Sequence, residues 1–375
     1  MKILLSPDSF KESLSASRVA QIMSKAIISV DPDIKVDLLP VADGGEGTLE
    51  VLNYALAGEV FYKQVTGPLG EKVLARYAIF SDQKTAIVEM AEASGIHLVS
   101  AEKRNPMRTT SYGTGELILA ALEHEITNLI ITIGGSATND GGVGMLQAIG
   151  AEIVDQSGRQ VDHGGGSLGE ISSVHLASID PRLKGINISV ACDVTNPLCG
   201  ENGASYIYGP QKGATNAMIK QLDQNLNHFN HLLEKTVQMP IGDVQGSGAA
   251  GGLGAALLAI GGKLQSGIDL VLETLDFSKA LDQVDFVFTG EGKIDHQTPN
   301  GKVIAGIVRE ANIHHVPVVA FAGSVQEGYE PLFKKGLLSV HSIINNPCDL
   351  EEAFIKAEEN LFQTVENVVR LINFN

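Results

Sequence analysis

Ile3 to Leu5 form a short apolar run, and beyond a polar loop Val19, Ile22, Met23, Ala26, Ile27 and Val30 recur at spacings of three and four. The apolar period changes from that of a strand to that of a helix, which opens a βαβ unit. Val36 to Leu39 repeat the strand signal and run through Asp43-Gly44-Gly45-Glu46-Gly47 into a helical stretch near Thr48 to Leu56. Such alternation predicts a parallel sheet.

Between Glu59 and Met90 the texture differs. Val60 to Tyr62, Val73 to Phe80 and Ala86 to Val88 are short strand signals joined by turns such as Thr66-Gly67-Pro68, which predicts antiparallel sheet. The middle continues with strands Leu129 to Ile133 and Ile188 to Ala191, and helices near Met218 to Leu233 and Leu253 to Ile260. After about residue 283 the opening texture returns in Phe286 to Phe288, Val318 to Phe321 and Val340 to Ile344. A last helix is expected from Asp349, capped with Glu352 and burying Ala353, Phe354, Ala357, Leu361, Val365, Val368 and Ile372. The expected architecture is therefore α/β in two domains. Residues 1–58 and 284–375 form a Rossmann-like parallel three-layer domain, residues 59–283 an inserted mixed-sheet α/β domain, and the cleft between them the active site.

Composition narrows the functional classes. With 44% apolar residues in 375, the chain can bury a sizeable core. A formal net charge of -17 repels a phosphate backbone and argues against nucleic acid or an anionic membrane as partner. The N-terminus lacks a signal-peptide core and no apolar run reaches spanning length, so a cytoplasmic location is expected. Cys192, Cys199 and Cys348 make neither a disulfide framework nor a zinc site and read as buried thiols.

In a parallel α/β sheet the ligand crevice lies beyond the carboxyl ends of the strands. There the sequence is polar: Ser6-Pro7-Asp8-Ser9-Phe10-Lys11-Glu12 after the first strand, Asp43 to Thr48 after the second, and Thr289-Gly290-Glu291-Gly292-Lys293-Ile294-Asp295 after Phe288. Each loop alone could be caps and turns. Three at one sheet edge predict a charged crevice. Separately, Gly134-Gly135-Ser136-Ala137-Thr138-Asn139 follows an apolar strand and precedes a helix, a pattern suited to cradling phosphate on backbone amides, with Asp140 a possible helix cap. Gly246 to Gly251 fits G-x-G-x-x-G, but the segment before it is a poor strand, so close helix packing is the expected use. Asn300-Gly301-Lys302-Val303 lacks both the first glycine and the hydroxyl of a P-loop, although Lys302 could still reach a phosphate. The histidines, His228 and His231 included, show no metal spacing.

Taken in order, Ser6 to Leu14, Asp43 to Thr48, Thr110 to Ile118, Gly134 to Gly144, Cys192 to Leu198, Gly209 to Ala214, Gly248 to Gly254 and Thr289 to Gly292, completed by Asp295, Gln297-Thr298 and Gly301-Lys302, resemble the type 1 glycerate kinase family over nearly the whole chain. The resemblance implies an ATP- and Mg²⁺-dependent phosphotransferase acting on an alcohol group of D-glycerate, with 2-phosphoglycerate favoured over 3-phosphoglycerate. The alternatives are a kinase of another small hydroxy acid and a non-catalytic sugar-acid sensor.

Chemistry then assigns roles. Gly134 to Asn139 are expected to hold ATP phosphates, with Lys212 and Lys302 as auxiliary cations. Asp193 and Asp295 are the preferred Mg²⁺ or base carboxylates, with Asp8 as competitor. Lys11, with Arg104 or Arg108, is expected at the glycerate carboxylate, and Ser9, Asp43, Gly44, Glu46 and Glu291 complete the substrate-binding set.

Overall fold

The computed structural model describes residues 1–10, 13–299 and 302–373. The chain divides into two compact units: Met1–Asp43, Glu50–Ala55 and everything from Ile268 onward make the first, Gly44–Leu49 and Leu56–Gly267 the second. The sequence predicts a later return to the first unit, at 284. The unit begins earlier, at Ile268, because Ile268 lies against Gly306 and helix Phe277–Ala280 packs on helix Val303–Ile313.

The first unit contains a five-stranded sheet. Numbering strands along the chain, it comprises β1 (Lys2–Leu5), β2 (Lys35–Leu38), β11 (Phe286–Ile294), β12 (Val318–Val325) and β13 (Leu337–Ser342), in spatial order β13-β12-β11-β1-β2. Every pairing is parallel. Side chains alternate across the pleat, so Ile3, Leu5, Phe288, Val319 and Phe321 face one layer. They meet Val19, Met23 and Ile27 of helix Ala16–Val30 and Leu361, Val365 and Val369 of helix Ala357–Ile372. Helix Val303–Ile313 packs on β11 and β12 from the opposite face. The chain leaves β1 toward β2 but returns on its other side as β11, and that reversal opens a crevice beyond the strand ends.

Two expectations change here. β11 does not end at Phe288. It runs to Ile294 and pairs with β12 as far as Ile294↔Val325, whereas β1 pairs only Phe286 to Phe288. The polar stretch Thr289 to Lys293 is thus rigid strand that overhangs β1, made possible by glycine at 290, where a Cβ would stand 2.5 Å from the Phe321 carbonyl oxygen. The terminal helix also breaks at Lys356 into Leu350–Ile355 and Ala357–Ile372. Asp349 caps the first by accepting from the Glu352 amide at 2.8 Å, yet Phe354 is exposed, because the buried stripe starts only at Ala357.

The second unit contains β3 (Glu59–Thr66), β4 (Lys72–Ile79), β5 (Thr85–Glu89), β6 (Asn128–Thr132), β9 (Asn187–Ala191) and β10 (Lys263–Gln265), in order β10-β9-β6-β5-β4-β3. The β3-β4-β5 run is antiparallel and the rest parallel, so the sheet is mixed. β7 (Glu152–Val154) and β8 (Ser173–His175) form a separate two-stranded antiparallel sheet. Helices Tyr112–Leu122, Asn216–Val237 and Ala249–Ala259 bury Leu117, Phe229 and Leu257 in its core.

Gly246 to Gly251 serves packing. A Cβ on Gly251 would lie 2.0 Å from the Thr138 carbonyl oxygen. Its φ of +69° is not the main obstacle, since the adjacent Ala250 adopts +51°. Gly251→Ala is therefore expected to destabilise the chain by roughly 3 kcal/mol or more through the clash. A thermal melt checks this, and an unchanged midpoint would contradict the packing.

Candidate active site

Parallel hydrogen bonding continues past the ends of the strands. The Ser6 amide donates to Phe288 and the Asp8 amide to Gly290, while Leu39 and Val41 donate to Leu5 and Pro7. The loop after β1 is thereby laid against the overhanging β11, and the loop after β2 against the end of β1 and its loop. Asp8, Ser9, Asp43, Glu291, Gly292, Lys293, Lys302 and Val303 line one cavity of about 260 Å³. Five residues singled out in the sequence therefore line one cavity: Asp8, Ser9, Asp43, Glu291 and Lys302.

Glu291 is nearly buried and its Oε1 accepts from Thr298 Oγ1 at 2.8 Å. Burial pushes its carboxyl up to about 7, against the pull of Thr298 and Lys302 and with the nearby charges of Asp295 and Asp43. Lys302 stands at the N-cap of helix Val303–Ile313 and lines this cavity with Val303, so a cation sits at the positive end of a helix beside it. Asp8 Oδ1 accepts from the Ser9 amide at 2.6 Å.

Asp295 does not line this cavity. Lys293 donates to its Oδ2 at 3.0 Å and the Gln297 amide to its Oδ1 at 2.9 Å, and these bonds, Lys293 first, hold the carboxyl below its usual range. Its backbone amide donates to Thr298 Oγ1 at 3.1 Å. Asp295 thus builds the turn that brings Thr298 to Glu291. Lys11 lies outside the described residues.

The remaining candidates belong to the second unit. Asp193 Oδ1 accepts from the Gly267 amide at 2.7 Å, and a Cβ on Gly44 would stand 2.6 Å from Gly267 Cα, so Gly44 is a packing glycine. Glu46 is exposed. Arg104 and Arg108 line a separate basic hollow of about 710 Å³ with Lys103, Asn105 and His163.

In the Gly-rich loop only Gly134 and Gly135 reach the surface appreciably. Ser136 is nearly covered, and Ala137, Thr138, Asn139 and Asp140 are buried, their polar groups turned inward. The Ala137 amide donates to Ser94, Asn139 Nδ2 to Ser205 Oγ at 3.0 Å, and Lys212 Nζ reaches Ser136 Oγ and the Thr138 carbonyl, each at 2.7 Å. Burial lowers the Lys212 amine to about 7, with Asp140 pulling it back up. Lys212→Met would leave both loop oxygens without their interior donor and is expected to cost about 2–4 kcal/mol. A urea midpoint within error of the parent would contradict that bracing role.

Two residues were not anticipated in their observed roles. Glu89, at the end of β5, is buried and accepts from the Gly47 amide at 2.9 Å and the Leu49 amide at 3.3 Å, with burial raising its carboxyl to about 7. Its one sequence signal is an acid directly after the apolar run Ala86 to Val88. Cys348 is exposed, whereas Cys192 and Cys199 are half-covered, because Cys348 sits in the loop before helix Leu350–Ile355. His228 makes a structural bond, with Nε2 2.7 Å from the Ile171 carbonyl oxygen. Among the described residues no three His, Cys, Asp or Glu side chains stand close enough to hold an ion unaided, and no helix is long and apolar enough to cross a membrane.

The family model for the glycerate kinase family matches residues 3–373. The chain belongs to the glycerate kinase family. It is 50% identical over 369 residues to the Escherichia coli K12 protein named glycerate 2-kinase, which spans 98% of this chain and 97% of that one. It is 48% identical to a glycerate kinase of Haemophilus influenzae over 375 residues, covering 100% and 99% of the two chains. A crystal structure assigned as glycerate kinase 2 from Salmonella typhimurium LT2 superposes with a TM-score of 0.92 at 45% identity, covering 100% and 98%. As a member of the glycerate kinase family, the chain is an enzyme that phosphorylates an alcohol group.

Proposed function

We propose that this chain transfers the terminal phosphoryl group of ATP to the C2 hydroxyl of D-glycerate, releasing ADP and 2-phosphoglycerate in the cytoplasm. The observation that carries the reading is that Glu291 and Lys302 line one cavity together with Asp8 and Asp43. Preference for C2 is supported by 50% identity to a relative named glycerate 2-kinase.

Phosphoryl transfer needs positioning, cations for the phosphates and a group to take the hydroxyl proton. Glu291, with its carboxyl near 7, can hold that proton at neutral pH, and Thr298 fixes its orientation. The oxygen attacks phosphorus as its proton passes to Glu291 Oε2, and the bond to the ADP oxygen breaks. Lys302 and the amides at the start of helix Val303–Ile313 offset the phosphate charge.

The oxygen donors Asp8 and Asp43 fit Mg²⁺, which takes one or two protein carboxylates and completes its shell with phosphate oxygens and water. When bound it supplies further charge neutralisation. Asp193 and Asp295, which are not in the lining of this cavity and accept the Gly267 and Gln297 amides, are assigned to scaffold. Gly134 and Gly135 are the parts of their loop assigned to phosphate contact, with Lys212 as the brace beneath. Arg104 and Arg108 are assigned to the glycerate carboxylate, for which a guanidinium fork is suited.

ADP release with D-glycerate, with other small hydroxy acids and with no acceptor tests the reading. Release specific to D-glycerate is expected. Equal or faster release with another hydroxy acid would replace the substrate, and binding without release would make the chain a sensor.

A further inference from the structure

A second cavity of about 480 Å³ lies in the first unit beside the charged one, and Gly292 lines both. Its walls are of a different kind. Phe10, Val325, Ile343, Leu350 and Phe354 supply apolar surface, and Cys348 stands at its edge. The size falls within the roughly 300–1,000 Å³ common for small-molecule pockets.

Three features point to a flat heterocycle as occupant. Two aromatic side chains, the buried Phe10 and the exposed Phe354, are among its lining and suit contact with a ring. β12 continues to Val325, but β13 pairs with it only as far as Ala322↔Ser342, so Gly323 to Val325 offer an edge of backbone donors and acceptors to the cavity. Ser13, also on the wall, has a buried hydroxyl with no partner among the described residues. An apolar slot with a polar rim, sharing the wall residue Gly292 with a crevice that Lys302 also lines, matches a nucleotide: ring in one cavity, phosphates in the other.

We propose that the cavity walled by Phe10, Val325, Ile343 and Phe354 takes the purine ring of the phosphoryl donor, with the strand edge Gly323 to Val325 reading its polar rim. The inference rests on the kinase reading above for the identity of the nucleotide.

The exposed Cys348 thiol reports occupancy, since burial raises Cys192 and Cys199 above their ordinary range. The full-length protein is labelled with a maleimide, alone or with saturating ADP, adenosine, inorganic phosphate or D-glycerate, and Cys348 modification is followed by peptide mass spectrometry. ADP and adenosine are expected to slow labelling at least fivefold, while phosphate and D-glycerate leave it unchanged. Labelling of Cys348 that ADP and adenosine do not slow overturns the proposal. In parallel, Ala353→Trp, on the outlying helix Leu350–Ile355, fills the cavity and is expected to raise KM for ATP at least tenfold while leaving KM for D-glycerate in place; an unaltered KM for ATP also overturns it. Protection by adenosine in a chain that never phosphorylates D-glycerate would sink the kinase reading and keep the ring site. Turnover without protection would do the reverse.

Discussion

Glu291→Gln is expected to lower turnover of D-glycerate by roughly 10²–10⁴-fold, the range for losing a general base. The side chain keeps its volume and can still accept from Thr298, so the fold should survive. The pH profile distinguishes this role from a merely structural one. In the parent, kcat/KM should climb as pH rises through about 7 and level off above it, because the reactive form is the ionised carboxylate. The variant should lose that limb.

Stability carries a sign of its own. Burial raises the folded carboxyl from 4.5 to about 7, so its favourable contribution is complete below pH 4.5 and is lost as pH climbs through 7. Glu291→Gln should flatten that slope. A variant with parent-like turnover and an unchanged profile would remove Glu291 from the chemistry and return the role to Asp8 or Asp43.

Asp140→Ala should produce the largest stability loss in the second unit. The buried carboxylate accepts from the Ser111 amide at 2.8 Å and hydroxyl at 2.9 Å, and from the Gly142 and Gly144 amides at 3.2 and 3.3 Å. It ties the start of helix Tyr112–Leu122 to the start of helix Val143–Ala148, with the Ser111 hydroxyl also accepting from the Met145 amide. Removing it strands three interior amides, each worth about 1–3 kcal/mol, so a loss of about 4 kcal/mol is expected even after the carboxylate's own burial cost is relieved. That is a large part of a typical total of about 5–15 kcal/mol. Asp140→Asn, which keeps one acceptor, should lie between parent and Ala in the same urea titration. Parent-like midpoints in both would show that the staple does not hold the unit.

Positions that follow from strand direction are legible in the sequence. Asp8 and Asp43 stand just beyond apolar runs, and a parallel sheet sends such positions to one edge. Glu291 is legible too, but as a loop residue, whereas it lies within β11. Thr289 to Lys293 reads as loop because glycine and charge are rare within strands, yet those residues are paired with β12 and overhang β1. Local propensity does not reveal that the neighbouring strand ends early.

The polar loop Ser136 to Asp140 misleads in the opposite direction. Ser, Thr, Asn and Asp suggest surface, but each finds interior partners, with Lys212 among them, through long-range contacts that sequence order does not record. Glu89 was overlooked because its partners, Gly47 and Leu49, are 42 and 40 residues away. Long-range hydrogen bonding, more than secondary structure, is what had to be seen in three dimensions.

A proton-coupled phosphorus-31 spectrum of the protein incubated with ATP, Mg²⁺ and D-glycerate tests the central claim most directly. A new phosphate ester split into a doublet by the single proton at C2, growing as ADP appears, is the predicted result. A triplet from the two protons at C3 would contradict the assigned position, and ADP formation with no new ester would contradict phosphoryl transfer to glycerate altogether.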